Sequence, residues 1–193
     1  MRRIILSLYE FFFPSKFTQE VFMKIPHAPR PPQDWVYSMY DYHSPIGKRL
    51  VYDIKQKKDW VRDYYIAREI AERFKEHLSE KQQFGNFLHP YIVTIPLSKK
   101  SSKERGFDQM EYIARHLARA ISGKYIKKVA YMKDRTKKQA LLNKKDRHKN
   151  MHKSITLNKQ HCKSLKYQDI IILDDIVTSG ATMEEMKRVL VTS

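Results

Sequence analysis

The segment that decides the fold of this 193-residue chain runs from Ile170 to Thr182 and reads IIILDDIVTSGAT. Its first four residues form an apolar run without polar alternation, which is typical of a parallel strand buried on both faces. Asp174 and Asp175 follow where that strand should end, and open α/β sheets bind their ligands at the carboxyl ends of strands. We therefore expect a binding site at this point of the chain.

The residues after the two aspartates have the chemistry of an anion-binding turn. Gly180 can take a positive φ and lets the backbone approach a ligand closely. The helix predicted from about Ala181 would direct its N–H groups and its dipole at the same point. The carboxylates would then hold sugar hydroxyls or an ion while the turn holds a phosphate. The alternative interpretation is a strand that ends in two solvated aspartates, with Thr or Ser as the N-cap of the next helix.

The same segment resembles the phosphoribosyl-pyrophosphate (PRPP) motif of type I phosphoribosyltransferases. The resemblance implies that Asp174 and Asp175 contact the 2′- and 3′-hydroxyls of the ribose. It also implies that the following loop binds the 5′-phosphate through Thr178, Ser179, Gly180, Ala181 and Thr182. The loop is not a Walker A loop, because its glycine spacing differs and it does not end in Gly-Lys.

Two further blocks resemble the ComF family, whose members are competence-associated and similar to type I phosphoribosyltransferases. The first block runs from Ile95 to Gln109 and ends in RGFDQ, with Asp108 where the family has Asn. It implies a catalytic role for Arg105 beside the two aspartates, and pyrophosphate binding by Leu97, Ser98, Lys99 and Lys100. The second block implies a mobile loop that closes over the ligand, with Arg135, Thr136, Gln139, Arg147 and Asn150.

The implied fold is a type I phosphoribosyltransferase-like parallel α/β sheet flanked by helices, and the hydrophobic pattern agrees with it. We predict an amphipathic helix and a Pro-rich linker in residues 1–34, and a phosphoribosyltransferase-like domain in 35–193 with a small hood at about 35–58. In the hood, residues 35–42 alternate like a strand, and Ser44 should cap a helix. The pattern predicts strands at 91–95, 126–132 and 169–173, and helices at 59–79, 108–122 and 181–191.

The sheet of this fold is expected to lack its final edge strand. Only eleven residues follow Thr182, whereas ComF relatives continue through a further strand. An uncovered edge strand favours pairing with another chain, so a homodimer is one predicted arrangement.

Cysteine content and hydropathy indicate which other features to expect. Cys162 is the sole cysteine, so a Cys-based zinc site is excluded and the chain resembles a ComF variant without the family's zinc module. Residues 4–13 are apolar but interrupted by Glu10, which favours an amphipathic helix that docks on the core or lies on a membrane surface. No apolar run reaches the roughly 20 residues that span a bilayer, and we expect a cytoplasmic protein.

The formal net charge is +17, and the excess is concentrated in one segment. Residues 124–166 hold thirteen lysines and two arginines against two aspartates. A clustered basic segment is typical of nucleic-acid binding, and the predicted partner is single-stranded DNA. A lysine-rich solvated surface is the alternative.

The resemblance leaves two hypotheses for the function. In the first, the protein is a ComF-type factor for DNA uptake and natural transformation that binds PRPP. In the second, it is a phosphoribosyltransferase of nucleotide metabolism that transfers phosphoribose from PRPP to a nitrogenous acceptor. Either function implies Mg²⁺ bound together with PRPP. Thr178 stands where purine-salvage transferases carry an aspartate, which disfavours that substrate class.

Overall fold

The computed structural model describes residues 19–29, 33, 35–56, 60–82, 89–106, 108–133 and 154–192. The predicted helix at residues 4–13 and the second ComF block lie outside these residues. The helices are α1 (Gln19–Met23), α2 (Pro45–Gln56), α3 (Trp60–Gln82), α4 (Lys99–Arg105), α5 (Gln109–Ala120), α6 (Cys162–Leu165) and α7 (Ala181–Val191). The strands are β1 (Tyr91–Thr94), β2 (Lys124–Tyr125), β3 (Ala130–Met132), β4 (Ile155–Leu157) and β5 (Ile170–Leu173).

The central sheet is parallel and has the order β2-β1-β5. Tyr91 of β1 pairs with Ile170 of β5, and the register continues to Thr94 and Leu173. The backbone N–H of Ile95 donates to the carbonyl of Leu173 across 3.0 Å, just beyond the last pair. The predicted mixed α/β fold with a parallel sheet is therefore confirmed, and β1 and β5 end side by side.

Helices cover both faces of this sheet. Successive residues of β1 point to opposite faces, so Ile92 and Val93 contact different helices. Ile92 is fully buried among Leu117 of α5 and Ala71 of α3, and α3 packs along α5. Val93 is fully buried on the other face, in a cluster with Met186 of α7. The strand β1 is thus packed between helices on both faces of the sheet.

The prediction of one strand at residues 126–132 is wrong. Lys124 and Tyr125 join the parallel sheet, whereas residues 130–132 pair antiparallel with β4 in a separate two-stranded sheet. The chain turns between them at Lys128, whose φ is 54°. The side-chain amide of Asn158 donates to the carbonyl of Lys128 across 3.3 Å and holds this turn. Only the last three residues of the predicted range therefore form a strand, and β2 lies just before its start.

The hood consists of irregular chain followed by α2. Residues 35–42 form no strand, contrary to the alternation in their sequence; the N–H of Asp41 instead donates to the carbonyl of Pro26 across 2.9 Å. The predicted cap is confirmed, because the Ser44 hydroxyl accepts from the N–H of Gly47 at 3.0 Å as the helix begins. Leu50 and Ile54 of α2 are buried against α5.

The short helix α1 shows that the predicted linker contributes to the core. Phe22 is fully buried and Ile25 is nearly so, in one cluster with Leu50 and Ile54 of α2. This packing fixes the start of the hood against the main domain. The predicted division at residue 34 itself stays a prediction.

Candidate functional site

The candidate site lies at the carboxyl ends of β1 and β5. Because these neighbouring strands are parallel and in register, the segments that follow them leave the sheet at the same edge. Asp174 and Asp175 come directly after β5, and Pro96 to Ser98 follow β1. The structure thus brings together two of the three sequence blocks.

The two carboxylates differ in their surroundings. An oxygen of Asp174, Oδ1, accepts from the backbone N–H of Asp175 at 2.8 Å. Burial, reinforced by the charge of Asp175, raises the pKa of Asp174 to about 7. Asp175 is instead bonded by cationic and amide donors. Near pH 7 Asp174 therefore exists in both its protonated and its ionised form.

Two partners of Asp175 were not predicted from the sequence. Lys55 lies in the last turn of α2, and its ammonium group is 2.9 Å from Oδ2 of Asp175. The side-chain amide of Gln109 donates to the same oxygen across 3.3 Å. Gln109 is the last residue of the RGFDQ block, so this block could have identified it as a site residue. Lys55 follows the apolar positions Leu50 and Ile54 in a helix with many charges, and no local pattern marks it.

The Gln109 side chain is buried at the site. It is only 3% exposed, and its carbonyl oxygen is buried without a partner among the described residues. An unmet buried acceptor is costly in a folded protein. Its position at the start of α5 places it directly after Asp108, which caps that helix by accepting from the N–H groups of Met110 and Glu111. The Asp in place of the family's Asn therefore keeps a capping role.

The turn before α7 has the geometry expected of an anion-binding loop. Gly180 takes a φ of 72° as the N-cap residue of α7, and no side chain caps the helix there. The alternative in which Thr or Ser caps this helix is therefore wrong. Thr178 and Ser179 are exposed, while Ala181 is buried and Thr182 is half-buried. The first N–H groups of α7 are thus left without a side-chain acceptor from the described residues.

The start of the hood and the segment before it contact this turn and α7 through Trp35 and Gln33. The Gln33 amide nitrogen donates to the carbonyl of Ser179 across 3.1 Å. A Cβ on Gly180 would come within 2.2–2.5 Å of the Gln33 amide group. The Trp35 indole N–H donates to Glu184 of α7 across 3.0 Å. This part of the chain is therefore bonded to the turn, and a Cβ at position 180 would displace the Gln33 amide.

The segment predicted to bind pyrophosphate is in part helical. Leu97 and Ser98 follow β1, but Lys99 and Lys100 already lie in α4. The Ser98 hydroxyl caps this helix by accepting from the N–H of Ser101 at 3.1 Å. Arg105 is the last residue of α4. Gly106, which follows with a φ of 69°, turns the chain toward α5.

The second ComF block supplied the residues of the predicted mobile loop. Arg135, Thr136, Gln139, Arg147 and Asn150 lie outside the described residues. Their predicted role in closing over a ligand therefore stays a prediction.

A large cavity adjoins the carboxylates. It has a volume of about 1510 Å³, and Asp174, Asp175 and Thr178 lie in its wall together with apolar and aromatic residues of the hood. Tyr40 also lines it, and the Tyr40 hydroxyl is buried without a hydrogen-bond partner among the described residues. The cavity has room for a ligand larger than a sugar phosphate.

The carboxylate pair is a poor metal site by itself. One member holds its proton near neutral pH, and the other is bonded to Lys55. Within the described ranges, no group of three or more His, Cys, Asp and Glu side chains could hold a metal ion. A Mg²⁺ ion would therefore need oxygen ligands from a bound phosphate compound or water.

Comparison with known proteins gives distant relatives. The DNA utilization protein YhgH of Escherichia coli is 24% identical over 161 residues, which cover 83% of this chain and 67% of the relative. The YhgH protein of Salmonella typhimurium is 27% identical over 163 residues with the same coverage. Competence protein F of Haemophilus influenzae is 24% identical over 99 residues, 51% of this chain and 43% of the relative. These matches support a ComF-related family at low identity. No protein-family model matches the chain.

Among the residues that the structure describes, no helix is long and apolar enough to cross a membrane.

Proposed function

We propose that the protein binds PRPP, or another phosphoribosyl ligand, and acts in DNA uptake and use. The proposal depends mainly on one observation, which is the carboxylate pair and the uncapped start of α7 at the same end of β5. The relatives named for DNA utilization and competence support the biological side of the proposal.

The carboxylates suit a ribose diol. Asp174 Oδ1 is bonded to the backbone and Asp175 Oδ2 to Lys55 and Gln109. The second oxygen of each carboxyl group receives no donor from the described residues, so one oxygen of each group is available to a ligand, and that of Asp174 is an acceptor in the ionised form. Hydroxyl groups three bonds apart, as on a ribose ring, can donate to two such acceptors together.

The turn at Gly180 suits the 5′-phosphate. The N–H groups at the start of α7 and the positive end of its dipole favour an anion. Thr178 and Ser179 can add hydroxyl donors from their exposed positions. The Gln33 amide now bonded to Ser179 would have to move or share this turn with the phosphate. Mg²⁺ would enter with the pyrophosphate group, bound by its oxygens and by water.

The site assignment can be tested by measuring PRPP binding with Mg²⁺ by calorimetry. We expect the double variant Asp174→Ala, Asp175→Ala to lose at least about tenfold in affinity, since each lost hydrogen bond to a charged group is worth about 1.5–3 kcal/mol. Glu72→Ala is the matched control, because Glu72 is an exposed carboxylate on α3 that does not line the cavity. Unchanged affinity in the double variant would show that the assignment is wrong.

Binding to single-stranded DNA is proposed for residues 124–166. The described lysines Lys159, Lys163 and Lys166 are exposed within this segment. If they contact phosphates, changing all three to alanine should reduce the slope of log affinity against log salt by about 2, because each contact to a single strand adds about 0.7. A control variant changes the exposed Lys24, Lys48 and Lys103 instead. Equal effects of both variants would exclude a specific surface here.

The second candidate function is transfer of phosphoribose from PRPP, which the same site geometry would permit. Release of pyrophosphate on addition of a nitrogenous acceptor would establish it. If PRPP binds but no acceptor in a broad screen releases pyrophosphate, PRPP acts as a bound ligand.

A further inference from the structure

We propose that Lys55 is a positioning residue of the phosphosugar site, which allows an anionic ligand to bind beside two carboxylates. This inference rests on the proposed function and adds to it a residue of the hood. Its basis is the contact between the Lys55 ammonium and Oδ2 of Asp175 at 2.9 Å.

The Lys55 side chain is more buried than is usual for a lysine. Its side chain is only 24% exposed, and that of Asp175 is 16% exposed. Burying charged groups costs several kcal/mol per ion unless they are paired, so a largely covered lysine is unusual on a helix that has exposed positions for it. Its place in the last turn of α2 is favourable for a cation, because the helix dipole is negative there.

The contact also fixes which oxygen of Asp175 is available. Lys55 and Gln109 both bond Oδ2, and they approach it from α2 and α5. Two donors from different helices orient the carboxylate and direct Oδ1 away from both. Lys55 therefore positions the acceptor that a ribose hydroxyl would use.

The contact between Lys55 and Asp175 also has an electrostatic effect. Two adjacent carboxylates would repel a phosphate group bound at Gly180 only a few residues away. The raised pKa of Asp174 keeps the charge of that group low near neutral pH, and Lys55 compensates the charge of Asp175. Without Lys55, the site would present an uncompensated negative charge to an anionic ligand.

The test compares binding of PRPP and of ribose 5-phosphate to the full chain and to Lys55→Met. PRPP carries the greater negative charge, so we expect the variant to bind PRPP about tenfold more weakly and ribose 5-phosphate about threefold more weakly. The loss should shrink as salt is added. Lys55→Arg should restore binding, because it keeps the charge. Lys48→Met is the matched control, since Lys48 is exposed on the same helix.

The outcomes separate the two proposals. If the unmodified protein binds neither ligand, the proposed function fails and this inference fails with it. If the unmodified protein binds both ligands and Lys55→Met binds each of them as tightly as the unmodified protein does, only the inference is overturned. The ion pair would then only hold the hood in place. Thermal unfolding of each variant shows whether it is folded; a Lys55→Met protein that melts earlier but keeps full affinity for PRPP also overturns the inference.

Discussion

Replacing Asp174 by asparagine should make the protein more stable at alkaline pH. The pKa of Asp174 in the folded protein is about 7, against an ordinary value of 3.8. The folded state therefore keeps this proton up to a higher pH than the unfolded state does. The stabilising contribution is complete below about pH 4 and is lost as the pH rises through 7. Asparagine has no proton to lose and does not suffer this loss.

The magnitude follows from the difference between the two pKa values. That difference is about 3, and each unit corresponds to about 1.36 kcal/mol. Ionised Asp174 thus lowers the free energy of unfolding by up to about 4 kcal/mol above pH 7. The asparagine side chain keeps the size of the aspartate, and its carbonyl oxygen can still accept from the N–H of Asp175, now at 2.8 Å. The substitution should therefore introduce no other large change.

Urea denaturation at pH values from 4 to 8.5 would measure the effect. We expect the advantage of Asp174→Asn to be small at pH 4, to grow through pH 6 and to level off near pH 8. Asp169→Asn is the control, because Asp169 is exposed and should give a difference near zero throughout. A stability difference that does not change with pH, or that favours aspartate at pH 8, would refute the reasoning.

Two further predictions concern the elements that carry the site. Gly180→Ala should lower the free energy of unfolding by about 1–2 kcal/mol from the positive φ alone, and further by displacing the Gln33 amide from its bond to Ser179. Gly106→Ala isolates the first effect, because its φ is +69° with nothing within 4 Å of a Cβ. Equal losses of the two variants in urea would contradict the contribution of Gln33. Asp108→Ala should lower the free energy of unfolding by about 1 kcal/mol, because it removes the cap of α5. Asp108→Asn should keep the cap. Equal losses of stability for both variants in thermal unfolding would count against a capping role of Asp108.

The parts of the fold that the sequence predicted well are those with strong local signals. The helix after Gly180 was expected at 181–191 and is found there, because its glycine and its apolar spacing are both marked. The strand before Asp174 was also found, shorter by one residue at its start. In an α/β domain, a short run of Ile and Leu is typical of a central parallel strand that is buried on both faces.

The elements that the sequence did not predict lack such signals. Helix α4 has the sequence KKSSKER and carries no apolar stripe, so its periodicity is invisible. The strands β3 and β4 have three residues each and are too short to show alternation. Their pairing depends on a turn at Lys128 and on contacts with α7, which are tertiary features.

The residues of the candidate site also divide into those that a local sequence motif marks and those that only the fold brings together. The aspartates and Gly180 were identified because they are consecutive in one motif. Lys55 and Gln33 reach the site from segments more than 100 residues earlier in the chain, and only the fold brings them there. Their residue types are common on any protein surface, so neither could have been chosen from the sequence.

The attachment of the hood to α7 has a consequence for how the protein folds. Gln33 and Ser179 are 146 residues apart in sequence, and Trp35 and Glu184 are 149 apart. Contacts at such separation require closure of a very long loop and form slowly. During synthesis on the ribosome, the hood emerges well before β5 and α7 exist. We therefore expect a nascent chain to hold an incomplete domain, and its binding turn to be the last part that gains native structure.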